Sequence, residues 1–534
     1  MGCKKKPDVT SLPYFGNLRN LSNDAFALVF LSNLEGMVTP CGCSTNPLGG
    51  IDRFATVYNN LKILTKGNTG IIDTGNLLFD QSPKSLTDAC QEESKIDLLL
   101  STLTRLGLQV TTPHGFDDAR STSFRDELYK KHKLVPLNHR GIEIITTPAS
   151  AIGIIAITEA QHKEQERARL IKLIEEQKKQ KNIRAIVAIS LLPLQATKDL
   201  LFEASMIDVV IQADIKEFAI SSPTRVSPLG PLLIQGGRQL QYATILVFEN
   251  LSEKKGALIY DDSGFAKNNR EELLKARIAA LEQQKSGLVG ERLTFIENRI
   301  KLAQDELMLL QTSPPQNKNI EPTVSFHAIP LTKKIEPDKE IQQKLSDYEK
   351  SLPVLTKKCE EHLECPKLDA KKASYVGAQA CKACHQEAFN VWMKSQTISH
   401  TKDERGQEIT RTLGHSKAWK TLADMDKDSD RSCIGCHSIG FMEPGGYCKT
   451  TEVAFRKDVQ CESCHGPGSL HAQSGDKKLI KRQVPEETCR SCHHVPHIDT
   501  HESFNYEERL IKILGKGHGE QLLKTIEHKK KISP

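Results

Sequence analysis

Four stretches in the last third of the chain repeat one arrangement of reactive side chains. They are Cys381-Lys-Ala-Cys384-His385, Cys433-Ile-Gly-Cys436-His437, Cys461-Glu-Ser-Cys464-His465 and Cys489-Arg-Ser-Cys492-His493. Two thiols three residues apart with a histidine directly behind them form the attachment pattern for c-type haem. The thiols reach the two vinyl groups on one porphyrin edge, and the adjacent imidazole swings beneath to bind the iron. Paired Cys-x-x-Cys motifs also build zinc sites, but zinc does not require a histidine after the second cysteine. Four occurrences out of four exclude coincidence. The expectation is four c-type haems, with the eight cysteines as covalent carriers and His385, His437, His465 and His493 as proximal ligands.

The sixth iron position separates electron transfer from ligand chemistry. His400, His415, His471, His494, His497, His501 and His518 are left over in the same 160 or so residues. Several of these should be axial. An iron held between two histidines stays low-spin and barely changes geometry on reduction, which suits electron transfer.

The segments around these motifs are themselves distinctive. They include Tyr375-Val-Gly-Ala-Gln-Ala-Cys381, Trp392, His415-Ser-Lys-Ala418-Trp-Lys-Thr-Leu422 and Cys436-His437-Ser-Ile-Gly440-Phe441, and the run from Val459 through Cys461 and His465 to His471. Residues 373–518 resemble the tetrahaem cytochrome family typified by the carrier that takes electrons from hydroxylamine oxidoreductase. That resemblance implies stacked haem pairs, with His415 and His471 as distal ligands. It also implies one five-coordinate haem able to bind small molecules such as nitric oxide. An insertion of about 19 residues separates Ser395 from His415, so His400 competes with His415. The histidines after Cys492, His497 among them, compete with His518 for the fourth site.

These motifs need a scaffold. From about Ala373 the chain is rich in Cys, His and loops and poor in apolar runs, and too little apolar area would be buried to offset chain entropy without a large prosthetic group. The predicted C-terminal domain, 373–534, is therefore a mainly α and loop multihaem domain. Residues 26–260 instead alternate strand-like and helical patterns. Strands are expected at Ala27–Leu31, Gly70–Asp73, Ile142–Thr147, Ile152–Thr158, Ala185–Ile189 and Asp208–Ile211, with a helix over His162–Gln180. This α/β domain is expected to span 25–355, with a helical hairpin inserted at 264–312 and a returning strand at Val324–Ile329. Residues 356–372 read as a linker.

Residues 26–355 resemble the metallophosphoesterase domain of periplasmic 5′-nucleotidases, which implies an α/β sandwich. The resemblance places that family's metal-binding motifs on Ser32-Asn33-Leu34-Glu35-Gly36, Gly75-Asn76, Pro113-His114-Gly115, Ser190-Leu191 and Gln212-Ala213-Asp214-Ile215. Only His114 keeps the family's ligand type. Two metals need several carboxylate and imidazole ligands, so the front domain is expected to lack phosphatase activity.

The chain carries 15 cysteines and a formal charge of +6. Its charges of both signs are interleaved, which points to solvated faces and away from nucleic acid. Met1-Gly2-Cys3 followed by a polar stretch to about residue 24 reads as a lipoprotein tether with Cys3 lipidated. Cys359 and Cys365 are expected to bridge each other, and one of Cys41 and Cys43 to pair with Cys90. The Cys41-Gly-Cys43 pair is otherwise a candidate redox or metal-binding thiol pair, while Cys448 is left to find a distant partner or stay free. The expected protein is a periplasmic, lipid-anchored electron carrier that meets redox partner proteins. The alternative is a reductase of nitric oxide or of a nitrogen or sulfur oxyanion at one open haem.

Overall fold

The computed structural model describes residues 12–493 and 505–532, except for short stretches that include 41–47, 214–219 and 403–407 and most of 262–320. The front part is built from thirteen strands: β1 Phe26–Leu31, β2 Thr69–Asp73, β3 Val110–Thr111, β4 Val135–Pro136, β5 Glu143–Thr146, β6 Ala151–Ile157, β7 Ile183–Ser190, β8 Val209–Gln212, β9 Thr224–Arg225, β10 Leu232–Gln235, β11 Tyr242–Glu249, β12 Ile259–Asp261 and β13 Thr323–Pro330. They form two sheets, of order β12-β13-β11-β1-β2-β3-β4 and β5-β6-β7-β8-β10-β9. Strands β1, β2, β3 and β4 run parallel, as do β6, β7, β8 and β10, while β11 closes antiparallel on β1. All six residues of β1 and all seven of β6 are buried, because each strand is covered on both faces.

Phe26, Leu28, Phe30 and Phe248 of the first sheet meet Ile152, Ile154, Val187 and Ile211 of the second in one apolar layer. Helices α1 (Ile51–Leu64) and α2 (Leu86–Leu106) cover the outer face of the first sheet through Phe54, Tyr58, Leu99 and Leu103. After α3 (Thr122–Lys131), helices α4 (Glu164–Lys181) and α5 (Leu194–Leu201) cover the second through Leu170, Ile174 and Leu200. The result is a four-layer α/β sandwich. The expected helical hairpin at 264–312 lies largely outside the described residues.

Three expectations change. Phe15 and Leu18, inside the stretch expected to be a polar tether, are buried in the front core, because the turn Pro13–Leu18 folds back on it. The expected break at 355 falls inside one helix, α6 (Lys339–Glu360), which starts at the Asp338 cap and runs unbroken past Pro353. The cysteine pairing is also different: Cys359 bonds to Cys90, and Cys365 bonds to Cys448. The physical cause is the end of α6. Cys359 sits in its last turn, where the helix packs on α2, whereas Cys365 lies beyond Glu360 and beside the C-terminal region. Cys90 is thus taken and does not pair with Cys41 or Cys43, which lie outside the described residues, as does Cys3.

The C-terminal region is a set of short helices: α7 (Ala378–Lys382), α8 (Gln386–Lys394), α9 (Ala418–Ala423), α10 (Arg431–His437), α11 (Cys461–His465), α12 (Ser469–Ser474), α13 (Glu486–Arg490), α14 (Tyr506–Leu510) and α15 (Glu520–Ile532). The insertion before His415 folds as a two-stranded antiparallel hairpin, β14 (Thr397–Lys402) with β15 (Glu408–Leu413). Its apolar cluster is small, centred on Leu422, Ile434 and Tyr447 with Trp419 and Phe441 at the edge. So small a core cannot order this much chain unaided.

Candidate functional site

Helices α7, α10, α11 and α13 each carry one Cys-x-x-Cys-His motif at or near their ends. The motif histidine then emerges where the helix stops, as with His385 at the cap of α8 and His465 before Gly466. Glu462, inside the third motif, is buried and accepts hydrogen bonds from the backbone N–H groups of Val376 (3.1 Å), Gly377 (2.7 Å) and Gly468 (2.7 Å). Gln460 adds a bond from Ala378 N–H (2.6 Å) to its side-chain oxygen. The third motif is thereby fastened to the loop that leads into the first. Trp392 Nε1 donates to Val459 O (2.8 Å), adding α8 to the same knot. Gly440 has a positive φ of 54°, and a Cβ there would stand 2.4 Å from the Tyr375 ring. Only glycine fits that approach.

The histidine rings come together in pairs. His385 faces His471 with ring centroids 6.3 Å apart, His493 faces His415 at 6.1 Å, and His465 faces His518 at 6.1 Å. Two imidazoles on opposite sides of one metal, each nitrogen about 2 Å from it, have ring centres about 6 Å apart. Each pair joins a motif histidine to one from elsewhere in the chain. The outward nitrogens are also held. His465 Nδ1 bonds Lys481 O (2.6 Å), His471 Nδ1 bonds Asp476 O (3.0 Å), His518 Nδ1 bonds Ile513 O (2.6 Å) and His437 Nδ1 bonds Ala418 O (2.6 Å). A carbonyl at Nδ1 fixes the tautomer and aims Nε2 inward, as iron ligation requires. Burial lowers the pKa of His415 and of His465, so both favour the neutral form that binds metal.

The motifs also lie next to one another. The Cys381 and Cys461 thiols are close enough to shift one another, Cys381 up and Cys461 down. Burial, then Cys489 and Cys492 close by, raise Cys464 to about 11. His415, facing His493, also feels the charge of His437. The order in space is therefore first, third, fourth, second. None of the eight motif cysteines is in a disulfide, and the sparse core, paired rings and held Nδ1 atoms fit haem. His400 lies in β14 with its backbone opposite Thr410, while His494, His497 and His501 lie outside the described residues. The His518 pairing was the least legible of the three, because His518 is expected only at the fourth site, in competition with the histidines after Cys492, whereas its ring faces His465 of the third motif.

The front positions matched to phosphoesterase metal ligands hold each other instead. Asn76 Nδ2 donates to Asn33 Oδ1 (2.8 Å), and Asn33 Nδ2 donates to Ala213 O (3.0 Å). Glu35 forms an ion pair with Arg238 and accepts from Gln239 Nε2 (2.7 Å). His114 N–H donates to Asp117 Oδ2 (3.0 Å), and Ser190 and Gln212 share Thr197. Asp214 and Ile215 lie outside the described residues. Among the described residues, no three His, Cys, Asp or Glu side chains gather as a metal site.

An α/β sandwich is thus joined to a helical region whose Cys-x-x-Cys-His motifs and paired histidine rings are the features of c-type haem attachment. Residues 380–466 match the model of the family "Cytochrome c554 and c-prime". Over those residues the C-terminal region is similar to that cytochrome family, and its motif residues are of the kind that hold c-type haem iron. Cytochrome c-554 of Nitrosomonas europaea is 29% identical over 144 residues, covering 23% of this chain and 59% of its own. Solved structures similar to the chain include a 5′-nucleotidase precursor from Thermus thermophilus (11% identity, TM-score 0.38, 75% of this chain and 74% of that one). The sulfate thiohydrolase of Thermus thermophilus (12%, 0.34, 42% and 54%) and a calcineurin-like phosphoesterase from Bacillus subtilis (12%, 0.33, 44% and 87%) are others. The chain thus spans 59% of the cytochrome and 54% of the thiohydrolase.

Proposed function

We propose that this chain is an exported electron-transfer protein with four c-type haems in its C-terminal region, exchanging electrons with redox partner proteins. The observation that carries the reading is the set of three histidine pairs with centroids 6.1–6.3 Å apart, each containing one motif histidine. On this reading His471, His518 and His415 are the distal ligands to the haems on His385, His465 and His493. Haem iron held between two imidazoles supplies a one-electron couple with little change in geometry. The chain's own residues hold the imidazoles: the carbonyls of Asp476, Lys481 and Ile513 fix three rings, and Glu462 and Gln460 fasten the helices that carry them. Adjacent motifs make a continuous row, as a conductor needs.

The two disulfides call for an oxidising compartment, which supports a periplasmic location, and the reading adds a lipid on Cys3 at the membrane. Among the described residues no helix is long and apolar enough to cross a membrane. The front sandwich acts as scaffold, its former ligand positions tied up in amide and ion-pair contacts.

The test is pyridine haemochrome quantitation of protein matured with haem-ligation machinery, together with electron paramagnetic resonance of His415→Ala, His471→Ala and His518→Ala. Four haems per chain are expected, and each variant should convert one low-spin ferric signal to high-spin. Absence of covalent haem would end the proposal, and unchanged spectra in all three variants would end the ligand assignment.

A further inference from the structure

One exposed loop touches two of the histidine pairs at once. Helix α12 stops at Gly475, whose φ of 70° turns the chain outward, and Asp476 caps the next turn by accepting from Lys478 N–H (2.9 Å). Residues 472–483 are then exposed except for Ile480, and they carry Lys477, Lys478, Lys481 and Arg482 with Leu479 open among them. None of these four cations has an ion pair among the described residues. Elsewhere in the region Lys420 pairs with Asp424, Arg490 with Glu486, Lys516 with Glu387 and Lys524 with Glu520.

The position of the loop sets it apart from an ordinary solvated turn. Asp476 O accepts from His471 Nδ1 at 3.0 Å, and Lys481 O accepts from His465 Nδ1 at 2.6 Å. His471 faces His385, while His465 faces His518. The loop's positive charge therefore sits one hydrogen bond behind ligands of two neighbouring iron sites. A carrier docked there would sit one short loop away from both of those sites.

We infer that the loop 476–482 is the docking surface for an acidic redox protein, one with carboxylates around its own exposed cofactor edge. The inference rests on the electron-transfer reading above. Opposite charge steers encounter and orients the partner, while a small, wet contact with one exposed leucine lets it leave quickly. The electron balance is simple: a reduced acidic carrier gives up one electron and ferric iron becomes ferrous.

The probe is flavodoxin, an acidic carrier whose anionic flavin hydroquinone becomes the neutral semiquinone on losing one electron. Stopped-flow reduction of the full holoprotein is followed at low and high ionic strength. The test variant reverses Lys477, Lys478, Lys481 and Arg482 to Glu. A control variant makes the same change at four exposed front-domain lysines, Lys130, Lys133, Lys333 and Lys334. Side-chain changes leave the carbonyls of Asp476 and Lys481 in place, so both variants should keep the parent's spectra and spin states.

At low salt the loop variant should react about tenfold or more slowly than the parent, with a much flatter salt dependence, while the control stays within about twofold. Equal rates for loop variant and parent overturn the inference, and so does an equal loss in the control. Failure of the electron-transfer reading looks different: the parent itself would take up no electrons from dithionite.

Discussion

Arg431 is the sharpest place to test how the two parts of the molecule hold together. It stands two residues before Cys433, at the start of α10, with its side chain 1% exposed. Its Nε meets Asp88 Oδ1 of α2 at 2.8 Å, and its guanidinium reaches Glu360 Oε1 of α6 at 3.4 Å and Cys448 O at 2.8 Å. Its backbone N–H donates to Gln91 Oε1 (3.0 Å), and the guanidinium lies 4.6 Å from the centre of the Phe441 ring. Arg431→Ala leaves two carboxylates without their cation. Breaking a buried pair from one side costs about 3–5 kcal/mol. Glu360 keeps its bonds from Thr450 N–H (3.0 Å) and Thr450 Oγ1 (2.6 Å), and Asp88 is partly open, so the lower end, about 3 kcal/mol, is the expectation. For a unit of this size that is a fall of roughly 6–12 °C in melting temperature. Thermal melts of holoprotein followed at the Soret band and in the far-ultraviolet check it. A loss under about 1 kcal/mol would mean that the cluster behaves as an exposed pair and would refute the reasoning. Replacing Arg431, Asp88 and Glu360 together with Met, Leu and Met should recover most of the loss, because the desolvation cost disappears with the charges.

Two further outcomes are expected. Non-reducing peptide maps should link Cys90 with Cys359 and Cys365 with Cys448, and Cys365→Ala with Cys448→Ala should cost about 2–5 kcal/mol through the 83-residue separation it frees. Burial raises Glu92 to about 7, with Asp80 and Asp88 adding to the rise and Lys95 and Arg120 opposing it, while Tyr348 of α6 feels its charge. Its folded pKa exceeds the unfolded one, so the stability it contributes is full below about 4.5 and is lost as pH rises through about 7. Glu92→Gln should flatten denaturation midpoints across that window, and an unchanged pH profile would count against it.

How legible the molecule was depended on how local each signal is. The six front strands expected from sequence fall within two residues of observed ones, because each is a short run rich in apolar and β-branched residues, and β1, β6 and β8 are buried along their whole length. Strands β10 and β11 were not foreseen: Gly236 and Gly237 interrupt the run between them, and the pairing of β11 with β1 spans more than 200 residues. The motif cysteines and histidines were visible because covalent attachment demands adjacent residues. The histidine pairs were not, since His471 meets His385 only through the Glu462 and Gln460 fastening that brings α11 back to α7. The disulfides misled for the same reason. Two cysteines six residues apart look like partners until a helix end between them sends them to different neighbours.

The arrangement gives the row of sites two unlike ends. At one end the first and third motifs lie under an exposed loop whose four cations make no ion pair among the described residues. At the other, the helix of the second motif is pressed against α2 and α6 by Arg431, Gln91 and the Lys427–Glu349 pair (2.6 Å), with disulfides on either side of the joint. On the proposed reading a partner protein would meet the first end at this loop, whereas the helix of the second motif packs against the front domain. On that reading the added domain would make the two ends of an electron path chemically distinguishable, one open and cationic and the other packed against the sandwich.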